Sequence, residues 1–196
     1  MSGSVVPLAL QGPLLLTPQL FGDPRGFFYE SWNARSWHQL LRAHGQQPVD
    51  FVQDNHSHSS RGVLRGLHYQ LPPYPQAKLV RCVVGEIFDV AVDLRRSSRS
   101  VGQWVAVRLS AENHQQLWLP EGFAHGFLTL SDHAEVLYKT TDFWSQACER
   151  SLRWDDPDLA IGWPLELLSG AAPLLAAKDA HAPDLSVLLS RGEVFG

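Results

Sequence analysis

Short apolar runs rich in Val, Phe, Trp and Leu recur between residues 26 and 141, separated by clusters of Gly, Pro, Ser, Asn and Asp. Runs of this length with frequent turn residues are the pattern of an all-β sandwich or barrel. It predicts strands over 26–32, 51–55, 63–70, 78–84, 87–94, 104–109, 116–119, 126–130 and 135–141, enough for two packed sheets. Gly85-Glu86, between two of these runs, reads as a two-residue hairpin turn in which glycine supplies the positive φ. In the run that follows, Phe88, Val90, Val92 and Leu94 alternate with Ile87, Asp89, Ala91 and Asp93. One face is therefore apolar, and the aspartate face is expected to look toward water or a cavity.

Two helices are expected. Asn33 can cap the first, Trp37, Leu40 and Leu41 give it an apolar stripe, and Gly45 stops it. The second runs over 183–191, with Pro183 in its first turn and Leu185, Leu188 and Leu189 on one side. Neither an internal repeat nor a low-complexity linker interrupts the chain, so residues 1–196 are expected to form one domain.

Charge narrows the partners. With 16 basic and 20 acidic side chains the formal net charge is −4, leaving no cationic excess for a nucleic acid or an anionic membrane. Two cysteines, Cys82 and Cys148, are too few for a disulfide framework and fit a reducing cytoplasm. Residues 1–19 are apolar but lack a basic residue and are broken by Pro7, Gly12 and Pro13, so neither an export signal nor a membrane span is expected.

Nine histidines raise the question of a metal. Metal-binding double-stranded β-helices place a His-x-His pair five residues after a glycine, then a Glu six residues before a second glycine. Here Gly62 precedes His68 by that spacing and Lys78 precedes Gly85, but Gln70 replaces the second histidine and Lys78 the carboxylate. An ammonium repels a divalent cation, so no metal is expected at this frame. His125, in the segment Pro120-Glu121-Gly122-Phe123-Ala124-His125, keeps the last ligand position. The separate His56 and His58 are read as surface imidazoles in a polar loop.

A cupin frame with Lys, Arg and a lone His in place of metal ligands points to acid/base chemistry on an anionic organic substrate. The chain resembles the dTDP-4-dehydrorhamnose 3,5-epimerase family in eight collinear blocks. They are FGDPRGFFYE at 21–30, FVQDNHS at 51–57, VLRGLHYQ at 63–70, KLVRC at 78–82, the stretch 85–95, the stretch 119–127, VLYK at 136–139 and AKDA at 177–180. The resemblance implies a cupin-like jelly roll that works without a cofactor as a homodimer exchanging an N-terminal strand. It also implies epimerisation at C3 and C5 of a dTDP-linked 4-keto-6-deoxyhexose, since both carbons lie α to the ketone.

The same resemblance assigns roles. His68 matches the base, and imidazole, with an ordinary pKa of about 6.5, is largely neutral yet basic at pH 7. Asp179 matches its carboxylate partner, Tyr138 the acid on the opposite face, and Lys78 the cation beside the developing enolate oxygen. Arg25, Glu30, Gln53, Asn55, Arg65, His125, Glu149 and Lys178 fall on substrate-binding positions. Arg65 stands three residues before His68, so a regular strand would turn it away; sharing a pocket requires a bulge near Gly66. Phe27, Phe28, Phe143 and Trp144 are candidates for stacking on a base or sugar, and the proline-rich loop 71–77 for a rigid wall beside the site.

Three other readings stay open at this level. A mono-epimerase acting at C3 or C5 alone would carry the same His and Tyr. A metal-dependent cupin oxygenase would bind iron through His68 and His125. A nucleotide-sugar binding protein would hold its ligand without exchanging the C3 hydrogen.

Overall fold

The computed structural model describes residues 3–196. Two antiparallel sheets face each other. The first has six strands in the order β1 (Gly3–Pro7), β2 (Leu14–Pro18), β10 (Gln116–Leu119), β7 (Lys78–Val84), β12 (His133–Thr140), β5 (Gln53–Ser60). The second has five, in the order β13 (Glu149–Ser151), β6 (Leu64–Gln70), β11 (Phe123–Thr129), β8 (Glu86–Asp93), β9 (Trp104–Ser110). A separate hairpin, β3 (Phe21–Asp23) and β4 (Gly26–Phe28), stands apart from both. This is the expected all-β, cupin-like jelly roll.

Three apolar layers hold it together. Val80, Leu117, Leu119 and Val136 of the first sheet meet Ile87, Ala91, Leu109 and Phe127 of the second. Helix α1 (Ala34–Ala43) packs Trp37 and Leu41 onto Leu14, Leu16, Leu79 and Trp118, covering the outer face of the first sheet. The C-terminal segment, with a 3-10 turn (Leu165–Leu168), α2 (Ala177–Ala180) and α3 (Leu185–Arg191), covers Leu64, Val90, Val92 and Leu128 on the outside of the second. Asn33 caps α1 by accepting from Ser36 N at 3.2 Å, and Gly45 follows it at φ 70°.

The structure corrects several expectations. Gly85 does take a positive φ of 72°, but the chain at this point crosses between sheets: β7 pairs with β10 and β12, and β8 with β11 and β9. A Cβ at Gly85 would lie 2.1 Å from His133 O, so this corner admits only glycine. The aspartate face of β8 is turned inward, and Asp89 and Asp93 are both fully buried. Asp93 is satisfied there by Arg95, Ser98 and Ser100.

β5 runs on to Ser60, so His56 and His58 lie mid-strand rather than in a loop. They point outward, His56 Nε2 2.8 Å from Glu135 and His58 stacked on His133. β4 ends at Phe28, and α3 begins at Leu185, whose N–H donates to Asp156 Oδ2 at 2.7 Å. The pattern does not give β1 and β2, since Pro7, Gly12 and Pro13 read as breaks, nor β3 and β13, which at three residues each are too short to show a period; a proline is tolerated in β1 because it is an edge strand.

Candidate active site

Between the sheets lies a cavity of about 520 Å³, the larger lobe, and beside it a second, smaller lobe of about 340 Å³ that shares the wall residues His68, Lys78, Tyr138, Trp144 and Glu149. His68 and Arg65 reach it from β6. A register shift makes this possible: His125 pairs with His68 and Phe127 with Arg65, so two residues of β11 span three of β6. Gly66, at φ 130°, absorbs the extra residue. The bulge turns Leu64 and Leu67 together into the outer core and leaves Arg65 and His68 together facing the cavity.

Asp179 arrives from α2. Leu174 bridges to Val63 in parallel, with Leu64 N donating to Leu174 O at 3.0 Å, and this carries the chain past the open end of β6. Asp179, 2% exposed, then sets Oδ1 2.5 Å from His68 Nε2, across 111 sequence positions. Its second oxygen accepts from Gly66 N at 3.4 Å, so the bulge that aims His68 also fixes its carboxylate.

Tyr138 enters from β12, on the opposite sheet from His68. Burial raises its phenol above the ordinary value, opposed by the Arg65 charge, so it stays protonated through neutral pH. Lys78, on β7, is buried and donates to the carbonyl of His68 at 3.2 Å. Burial lowers its ammonium to about 8, against the pull of Asp89 and Glu149, which keep it charged at neutral pH. His125 holds Nε2 2.9 and 3.0 Å from the two oxygens of Asp89. Burial lowers the pKa of His125, with the Asp89 carboxylate opposing, and a ring so placed donates to that carboxylate through Nε2.

Lys178 pairs with Glu149 at 2.9 Å, and both border the larger lobe. Gln53 and Asn55 of β5 line the smaller one, where Gln53 donates to Asn55 at 2.9 Å and accepts from Trp144 N at 3.0 Å. Gln70 donates to Tyr74 O and Phe143 O and accepts from Ser145 N at 2.7 Å. It thereby ties the proline-rich loop to the segment presenting Trp144, a half-exposed ring bordering both lobes.

Ten of the twelve residues expected at the site thus line these two adjoining lobes. Arg25 and Glu30 do not. Arg25 is on the hairpin of β3 and β4, its side chain 89% exposed and paired with Asp23 at 2.5 Å, and Glu30 accepts from Asn33 at 3.0 Å. Phe21, Phe27 and Phe28 of that hairpin are exposed as well. Among the lining or supporting residues that sequence does not single out are Asp89, Leu175 and Ser57. Asp89 was placed on a strand face but not against His125, Leu175 belongs to a segment without pattern, and Ser57 lies beyond the point where the polarity of 53–60 hides the strand.

An imidazole–carboxylate pair and a phenol facing it across the interior of a jelly roll define a cupin-like protein built for proton transfer. The model of the family described as dTDP-4-dehydrorhamnose 3,5-epimerase matches residues 7–186. The chain is 59% identical over 172 residues to the dTDP-4-dehydrorhamnose 3,5-epimerase of Pseudomonas aeruginosa, covering 88% of this chain and 90% of that one. It superposes with a TM-score of 0.91 and 44% identity on the dTDP-6-deoxy-D-glucose-3,5-epimerase of Legionella pneumophila, solved with dTDP-4-keto-L-rhamnose, covering 99% of this chain and 98% of that one. A 3'-monoepimerase of Streptomyces bikiniensis, solved with dTDP-quinovose, matches with a TM-score of 0.86 at 34% identity, over 96% and 91% of the two chains. The chain belongs to the dTDP-4-dehydrorhamnose 3,5-epimerase family.

Proposed function

We propose that this chain is an isomerase that inverts C3 and C5 of dTDP-4-dehydro-6-deoxy-D-glucose, giving dTDP-4-dehydro-L-rhamnose. The observation that carries the reading is the placement of His68, backed by Asp179 at 2.5 Å, and of Tyr138 on opposite sheets of one cavity. Epimerisation α to a ketone needs a base on one face of the ring and an acid on the other.

His68 takes the proton from C3 or C5, and the electron pair moves to the C4 oxygen as an enolate. Asp179 stabilises the imidazolium that forms. The Lys78 ammonium, itself buried, offsets the enolate charge. Tyr138 then delivers a proton to the opposite face, and solvent restores both groups. Arg65, Lys178 and the smaller lobe with Gln53, Asn55 and Trp144 suit the diphosphate and the base.

The exposed hairpin supports a homodimer in which Arg25 and Glu30 complete the partner's site. Two unbonded, buried cysteines suit a reducing cytoplasm, and no helix among the described residues is long and apolar enough to cross a membrane.

The test is incubation with dTDP-4-dehydro-6-deoxy-D-glucose in D2O, following deuterium at C3 and C5 by NMR. Incorporation at both centres, lost in His68→Ala, is expected. Incorporation at one centre would make the chain a mono-epimerase, and none would remove the activity.

A further inference from the structure

In the metal-binding frame position 70 belongs to a ligand, and in this chain a glutamine there works as a clamp. Gln70 ends β6, is 2% exposed and lies on the wall of the smaller lobe. Its Nε2 donates to Tyr74 O at 2.7 Å and to Phe143 O at 3.1 Å, and its Oε1 accepts from Ser145 N at 2.7 Å. Two carbonyls and one N–H fix the orientation of the amide. Both donor hydrogens are spent on backbone, so the amide has none to offer a ligand.

The backbone it holds belongs to no helix or strand: residues 142–145 lie between the end of β12 and the start of β13. Trp144 N donates to Gln53 Oε1 at 3.0 Å, so three successive residues, Phe143, Trp144 and Ser145, hang on two glutamine side chains. Ser145 O in turn accepts from Glu149 N at 2.9 Å, so the turn leading into β13 starts from the same anchor. The Trp144 side chain is 55% exposed and borders both lobes. A ring so exposed draws little restraint from packing, and the anchoring of its backbone decides where it stands.

We infer that Gln70 is a positioning residue for nucleotide binding: through the backbone of 143–145 it presents the Trp144 ring to the smaller lobe, in place for the base. The inference rests on the reading of that lobe as the nucleotide's. An aromatic ring held in its bound position before the ligand arrives loses little freedom on binding, and affinity is correspondingly higher. The three bonds of Gln70 go to the two loops and not to His68, Asp179 or Tyr138, so its loss reaches binding and not the chemical step.

Gln70→Met tests this, since methionine keeps the length of the side chain and removes its donors. The KM for dTDP-4-dehydro-6-deoxy-D-glucose and the Kd for dTDP alone should rise together, about three- to tenfold, the cost of ordering a loose side chain on binding. The value of kcat, and deuterium entry at saturating substrate, should stay within about twofold of the parent, as when binding common to ground and transition states is lost. The deciding arm is a cycle with Trp144→Ala: once the ring is gone, Gln70→Met should cost no further dTDP affinity. Gln70→Glu keeps the acceptor for Ser145 N but sets an oxygen against the Tyr74 and Phe143 carbonyls. It should show the same split of KM from kcat, and it serves if the methionine variant folds poorly.

Additive losses in the cycle would show that Gln70 does not act through Trp144 and would overturn the assignment, as would parental dTDP affinity in Trp144→Ala itself. A fall in kcat with dTDP affinity unchanged would make Gln70 a support of His68 instead, and parental values throughout would leave it no part in binding. Failure of the underlying reading is separate, since it appears in the parent protein as dTDP that does not bind or substrate that does not exchange.

Discussion

Lys78 Nζ lies 3.2 Å from the backbone carbonyl of His68, so the cavity's buried cation is fastened to the residue that carries its imidazole. The two come from different sheets, β7 and β6. The hydrogen bond holds the ammonium beside His68, so a negative charge placed there meets it without side-chain rearrangement.

The first prediction concerns pH. Burial lowers the Lys78 ammonium to about 8, so its charged fraction falls as pH rises through that value. The basic limb of kcat/KM should therefore bend downward near pH 8. A pH–rate profile that stays flat to about pH 9.5, near the ordinary lysine range, would show that the charge is not used.

Stability should move the other way. The folded pKa of Lys78 lies below the ordinary value of 10.5, so between about 8 and 10.5 the unfolded chain binds more protons and stability rises with pH. At pH 7 the buried ammonium is a net cost. Lys78→Met should raise stability there by about 1–3 kcal/mol while removing most activity. Thermal unfolding at pH 7 and again near pH 10, where the gain should shrink, checks the sign.

Tyr138→Phe should separate two events that the parent enzyme couples. His68 and Asp179 remain, so the proton at C3 or C5 is still removed and deuterium still enters. Without the phenol on the opposite face, return occurs to the face of departure. Net epimerisation is expected to drop about 10²- to 10⁴-fold, the usual range for a positioned general acid, with much less loss of exchange. Parallel losses of exchange and inversion would contradict an acid role.

Gly66→Ala should be severe. A Cβ there would lie 2.5 Å from Gly126 Cα, and the backbone is at φ 130°, where an L residue is strained. Relief means closing the bulge, which turns either Arg65 or His68 out of the cavity. Destabilisation of about 3 kcal/mol or more and loss of activity are expected. Near-parental melting and turnover would show that the bulge tolerates a side chain.

That bulge also marks how far residues alone reach. Period-two alternation was visible in β8 and β12, where one face is apolar, and strand boundaries there came within two residues. The need for a bulge at Gly66 followed from asking Arg65 and His68 to share a pocket. β5 was truncated because its inner face lines a cavity and is polar, so no alternation shows in 53–60. The crossing at Gly85 was read as a hairpin because a positive φ between two strands fits both, and pairing partners far along the chain decide. Asp89 beside His125 joins positions 36 apart on neighbouring strands, a contact that register alone supplies.

Arg25 gives the last prediction. Its hairpin is exposed, and neither Arg25 nor Glu30 reaches the cavity of the same chain. If these residues act across a dimer, Arg25→Ala and His68→Ala damage a site from opposite subunits. Each variant alone should be strongly impaired. When the two are unfolded and refolded together, a mixed dimer has one site with both lesions and one with neither. Random pairing makes half the dimers mixed, with one intact site in two, so about a quarter of the parental activity should return. Action within one chain gives no recovery at any mixing ratio, because every chain then carries its own lesion. The same mixture run at increasing dilution should lose the recovered activity as dimers dissociate, which ties the rescue to assembly and not to contaminating parent enzyme.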